Sequence, residues 1–122
     1  VSDGTIAYGT IAVNTTKSTT SSELNDTQVA TNNGNITEKF NVQGTNSAAW
    51  TLSGSAGSEN YVHKFSTAEN AGPFTALTTS YKEAAASIAA NATKPINFQL
   101  TTPTVTTNFT SQSVNITVQP VQ

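Results

Sequence analysis

"INFQLTTPTVTTNFTSQSVNITVQP", residues 96–120, holds two alternating runs separated by a polar connection. In the first, Ile96, Phe98 and Leu100 alternate with Asn97 and Gln99. In the second, Val114, Ile116 and Val118 alternate with Asn115, Thr117 and Gln119. Side chains on a strand point alternately to opposite faces, so each run reads as a strand with one apolar face turned to a core. Pro95 closes the segment that precedes the first run.

The same grammar extends toward the N-terminus. In "NITEKFNVQG", residues 35–44, Ile36, Phe40 and Val42 share one face, with Glu38 as the exception on it. "SAAWTLSG", residues 47–54, sets Trp50 and Leu52 together, and glycine-rich "SGSAGSEN" breaks the chain before the strand "YVHKFST" at residues 61–67. Asn33-Gly34 has the composition of a two-residue hairpin turn. "SYKEAAASIAANATKP", residues 80–95, is the one helical segment expected. Ser80 and Glu83 have capping-box spacing, and Tyr81, Ala84, Ala85 and Ile88 fall on one helical face, giving two or three turns near residues 81–90. Short strands closely punctuated by turn signals indicate an all-β, two-sheet sandwich, immunoglobulin-like or jelly-roll-like, with one short helix. The expected core comprises Phe40, Val42, Trp50, Leu52, Phe65, Ile88, Phe98, Leu100, Val114, Ile116 and Val118.

The stretch 96–120, with its apolar strand, Thr-Pro, polar loop and last alternating strand, resembles the final strands of secreted prokaryotic immunoglobulin-like or fibronectin-like surface proteins. The resemblance implies a fold and a cell-surface or extracellular location. Trp50 is similar to the buried tryptophan of such sandwiches, while the paired cysteines of the antibody-type pattern are absent.

Composition narrows function. The chain has 122 residues, enough for one domain. Only 10% of residues are charged, and the net charge is -2 with no arginine. No basic patch is therefore available for nucleic acid. With zero cysteines there are no disulfides, thiolate metal sites or cysteine nucleophiles. His63 is the only histidine, no serine lies in a Gly-x-Ser-x-Gly elbow, and the carboxylates are scattered. The expectation is a non-enzyme with no catalytic residue, no metal ligand and no cofactor, and His63 reads as an ordinary surface or half-buried imidazole. No apolar run approaches the roughly 18 to 20 residues of a membrane span. The lack of methionine, including at position 1, suggests a mature extracellular chain whose signal peptide has been removed.

Asn-x-Thr triplets begin at Asn14, Asn25, Asn35, Asn91, Asn108 and Asn115, and each is a candidate N-glycosylation site. The remaining feature is "VSDGTIAYGTIAV", residues 1–13. Its GTIA repeat places Ile6 and Tyr8 on one strand face and Ile11 and Val13 on the other. A strand apolar on both sides needs cover on both sides. It either starts the sandwich, bending at Gly9, or leaves its own domain to fill a groove in a neighbour, with the Ser/Thr-rich run 14–28 as a hinge. Burying its four apolar side chains would contribute on the order of 6–12 kcal/mol, comparable to the cost of association, so backbone hydrogen bonds would tip the balance.

In this respect "DGTIAYGTIAV" followed by a sandwich is similar to the strand-donating subunits of prokaryotic surface filaments, such as TasA-type matrix fibres and archaeal bundling pili. That resemblance implies a division into a donor strand, residues 1–13, and a sandwich domain, residues 14–122, with other copies of the chain as head-to-tail partners, while attached glycans are the expectation of the Asn-x-Thr triplets. The alternative is a cell-surface adhesin or carbohydrate-binding module that displays aromatic residues near turns, for which Tyr61, Phe74 and Tyr81 are the candidates.

Overall fold

A computed structural model of the chain describes residues 1–69 and 71–122. Among these residues nine strands follow in order: β1 (Thr16–Ser18), β2 (Gln28–Thr31), β3 (Glu38–Gln43), β4 (Thr51–Leu52), β5 (Asn60–Ser66), β6 (Thr75–Ala76), β7 (Lys82–Ile88), β8 (Thr93–Thr101) and β9 (Thr117–Val121). They form a six-stranded sheet in the order β1-β8-β5-β4, with β2 added on β8 and β6 on β5, and a three-stranded sheet in the order β7-β3-β9. The two pack as a sandwich.

The apolar groups of the alternating strands are buried as their pattern requires, but in β8 Asn97 on the other face is buried as well, its amide bonded to Thr27 Oγ1 and Ala68 O. β8 buries Ile96, Phe98 and Leu100, and β5 sets His63 opposite Leu100 and Phe65 opposite Phe98 in antiparallel register. From the smaller sheet Phe40, Val42, Ala85 and Ile88 meet this face, and Leu52, Tyr61 and Leu77 complete the core. Burial of the expected core residues Phe40, Val42, Leu52, Phe65, Ile88, Phe98 and Leu100 is as anticipated. Trp50, Val114, Ile116 and Val118 are only half-buried against it.

Residues 81–90 do not form the expected helix; most of the segment is a strand. The alanine-rich stretch becomes β7, pairing antiparallel with β3 from Val42↔Lys82 to Glu38↔Ile88 across register shifts at Phe40. Alanine favours a helix by a few tenths of a kcal/mol per residue. That preference loses to a ladder that pairs the second edge of β3 and buries Ala85 and Ile88.

Asn33-Gly34 does not close a hairpin either. β2 pairs with β8, and β3 with β7 and β9, so the chain crosses between sheets at this point. The crossing is organised by Asn32, 1% exposed, whose Nδ2 donates to the carbonyls of Ile36 and Ile88 at 2.8 and 2.9 Å while its Oδ1 accepts from Gly34 N at 2.8 Å. Ile36 consequently lies outside the strand and is exposed. Among the described residues no helix is long and apolar enough to cross a membrane.

Candidate functional site

One side of the core is covered by segments that belong to neither sheet. The first is residues 4–13. Its flanks are fixed: Ser2 N donates to Val29 O at 2.8 Å and Asn14 N to Pro103 O at 2.8 Å. Between them, no backbone–backbone hydrogen bond joins residues 4–13 to the other described residues. Gly4 and Gly9 have φ of +74° and +68°. Glycine takes such values without strain, and these kinks keep the segment out of a regular strand.

What holds the segment is side chains. Ile6, Tyr8 and Ile11 are half-buried against the core, whereas Val13 is 44% exposed. Gln28 accepts from Ser2 Oγ and Gly4 N through Oε1 and donates through Nε2 to Asp3 Oδ1, and Thr102 Oγ1 donates to Ala12 O at 2.7 Å. Lys17 Nζ donates to Tyr8 O. The Thr5 amide, with help from Gln28, holds the Asp3 carboxyl below its ordinary range.

The second segment is residues 107–116, the connection into β9. It too makes no backbone–backbone hydrogen bond among the described residues. Glu59, at φ 52°, accepts from Thr106 Oγ1, Thr107 N and Thr107 Oγ1, and these donors hold its carboxyl below the usual range. Gln112 Oε1 accepts from Ser47 Oγ at 2.7 Å and Ala49 N at 3.1 Å. Thr45 Oγ1 accepts from Asn115 N and donates to Asn115 O, so a side chain stands in for the strand that would otherwise pair there. Val114 and Ile116 pack against the core, and Phe109, 82% exposed, stands at the rim.

These two segments line a cavity of about 1090 Å³ that opens over the core. Its floor is aromatic and aliphatic: Tyr61, Phe98, Leu100 and Ile96, with Trp50 to one side. His63 sits in this floor and is 2% exposed, so it is buried where the sequence suggested a surface or half-buried imidazole. Its ring packs edge-on against Phe98 and Tyr8 at 5.7 Å between centroids. Its Nε2 lies 3.0 Å from Tyr8 Oη, a hydrogen bond whose donor is set by the tautomer, and its Nδ1 has no partner among the described residues. Loss of solvent pushes the imidazole pKa down to about 4. Burial drives the Tyr61 phenol up to about 12 and the Tyr8 phenol higher still.

The structure therefore brings Ile6, Tyr8 and Ile11 together at the groove and leaves Val13 outside the packed set. Asn14, Asn25, Asn35 and Asn91 are exposed, three of them with positive φ (Asn14 51°, Asn25 45°, Asn91 61°). Asn115 lies on the groove wall. The Asn108 amide is engaged by its own loop, its Oδ1 accepting from Thr110 N and Thr110 Oγ1. Tyr61 is buried and so is no exposed sugar platform, whereas Tyr81 is exposed and Phe74 half-buried. Residues 107–116 and His63 were not legible as parts of one site. The available signal was the apolar alternation of Val114 and Ile116, which runs on beyond the strand that pairs.

No group of histidine, aspartate and glutamate side chains among the described residues is placed to hold a metal ion. An apolar floor bordered by the unladdered main chain of residues 107–116 can accept extended polypeptide in the place that residues 4–13 hold: the floor takes alternate side chains and the border offers backbone donors and acceptors. Comparison with family models, curated proteins and solved structures finds no match to this chain.

Proposed function

We propose that this chain is the structural subunit of an extracellular filament or pilus and polymerises by donating its N-terminal segment to the groove of a neighbouring copy. One observation carries the reading: residues 4–13 and 107–116 border the same core-floored cavity, and neither makes backbone–backbone hydrogen bonds among the described residues. In the lone chain residues 4–13 rest over their own groove by contacts and hydrogen bonds that all involve side chains. In a filament the segment straightens at its positive-φ residues Gly4 and Gly9 and swings out at Asn14. Fully extended, its ten residues then reach roughly 35 Å from the hinge. A neighbour's segment takes its place and supplies a ladder that the kinked one does not make.

Each subunit gives one strand and receives one, so the contact is head-to-tail and builds an open polymer. The exposed Asn25, Asn35 and Asn91 lie outside the groove lining and are the sites where glycans would leave the contact undisturbed. The adhesin alternative loses ground because Tyr61 belongs to the core and Trp50 to the groove side wall.

The test is deletion of residues 1–13 followed by electron microscopy and size-exclusion chromatography. Filaments from the full chain and monomers from the truncated one are expected. Filaments of unchanged appearance from the truncated chain would discard the proposal.

A further inference from the structure

We infer that the Tyr8–His63 pair fixes the register of the inserted strand and selects strands of this chain's own kind. This inference rests on the strand-exchange reading above. The groove floor around His63 is otherwise carbon-rich, built from Tyr61, Phe98, Leu100 and Ile96. In such a setting a buried imidazole without a hydrogen bond is disfavoured, because its desolvation is not compensated. Tyr8 Oη is its one side-chain partner among the described residues, since Nδ1 has none. A second copy's residues 4–13 are chemically the same segment, so the contact made within the chain is the template for the contact between copies.

Register follows from the spacing of groups. A slip by one residue turns Tyr8 to the opposite face of the strand and leaves His63 facing the wrong set of side chains. A slip by two brings Ile6 or Thr10 over the imidazole; isoleucine carries no hydrogen-bonding side-chain group, and threonine is too short to reach where a phenol reaches. Tyr8 is the only aromatic hydroxyl in residues 1–13, so one alignment alone satisfies His63. A single polar group in an apolar seam specifies alignment in the same way when paired helices carry one buried polar residue. Selectivity has the same origin: a site built around a hydroxyl rejects a strand that has the shape without it.

The test uses the full chain as acceptor and labelled synthetic peptides of residues 1–13 as probes, with capture read by fluorescence anisotropy. The unaltered peptide is expected to bind, and the Tyr8→Phe peptide to bind about tenfold weaker or more, since it keeps the ring and loses the hydrogen bond. Against His63→Phe full chain the two peptides should bind alike, because the coupling has been removed. His63→Gln, which retains a hydrogen-bonding group, should restore part of the preference, and circular dichroism of each variant checks that it is folded. Equal capture of both peptides by the unaltered chain would overturn the register lock while leaving strand exchange standing. Capture of neither, both by the unaltered chain and by the chain lacking residues 1–13, whose groove its own segment does not cover, would overturn strand exchange, and this inference with it. Should both His63 variants fail to fold, the comparison of the two peptides on the unaltered chain still decides.

Discussion

Replacing His63 with phenylalanine should remove an acid sensitivity that is built into the groove floor. The imidazole is 2% exposed, and burial lowers its pKa from 6.5 to about 4. The fold therefore accommodates the neutral form. Above about pH 6.5 the folded and unfolded states are both neutral at this site, and the contribution is fully present. As pH falls below that, the unfolded chain takes up a proton that the folded chain refuses, and stability declines by about 1.4 kcal/mol per pH unit. The decline ends near pH 4, where the buried ring itself protonates, and by then it amounts to about 3 kcal/mol. Urea unfolding of the original protein and of His63→Phe at intervals from about pH 7.5 to about pH 3.5 would measure it. The stability difference between the two proteins should be constant at neutral pH and then shift by about 3 kcal/mol in favour of His63→Phe on acidification. The carboxyls of Asp3 and Glu59 also lose their hydrogen-bonded, lowered-pKa state in acid, but they are present in both proteins and cancel in the difference. Parallel curves across the whole range would refute the assignment of His63 as a buried, neutral group.

Ile11→Asp puts a charge on the inserted segment where it meets apolar groove lining; monomers of normal circular dichroism and no filaments by electron microscopy are expected. Asn32→Ala strips the crossing between sheets of its organiser and leaves Ile88 O and Gly34 N without that partner. A loss of about 2–4 kcal/mol in chemical denaturation is expected, against less than about 0.5 kcal/mol for an exposed control such as Asn35→Ala. Glu59→Ala frees Thr106 and Thr107 from their shared acceptor, and amide hydrogen exchange should quicken at Thr107 and the following residues with little change in β8.

Much of the fold is local information. Two-residue alternation in Ile96-Phe98-Leu100 and Phe40-Val42 dictates which side chains of each strand turn to the apolar core, whatever the partner strand, because pleating sends alternate side chains to opposite faces. Low charge, absence of cysteine and the abundance of Thr, Ser and Asn follow from composition in the same direct way. Partner choice is different in kind. "KEAAASI" satisfies a helix by its alanine content and a strand by its capacity to pair with β3, and only the open edge of β3 and the apolar face beside it decide the matter. Asn33-Gly34 carries the residues of a hairpin turn, but two strands that pair into different sheets cannot be joined by one.

The groove lies at the far end of that scale. Apolar groups for two faces are written into residues 1–13, and the place of Val114 and Ile116 in an alternating run can be read without any coordinates. Folding alone settles that both lengths of main chain lack backbone partners among the described residues, that they flank one cavity, and that His63 lies in its floor against Tyr8. The physical reason is that alternation records the burial of side chains, which each strand carries in its own sequence, whereas an unfilled ladder is a property of the space between strands distant in the chain.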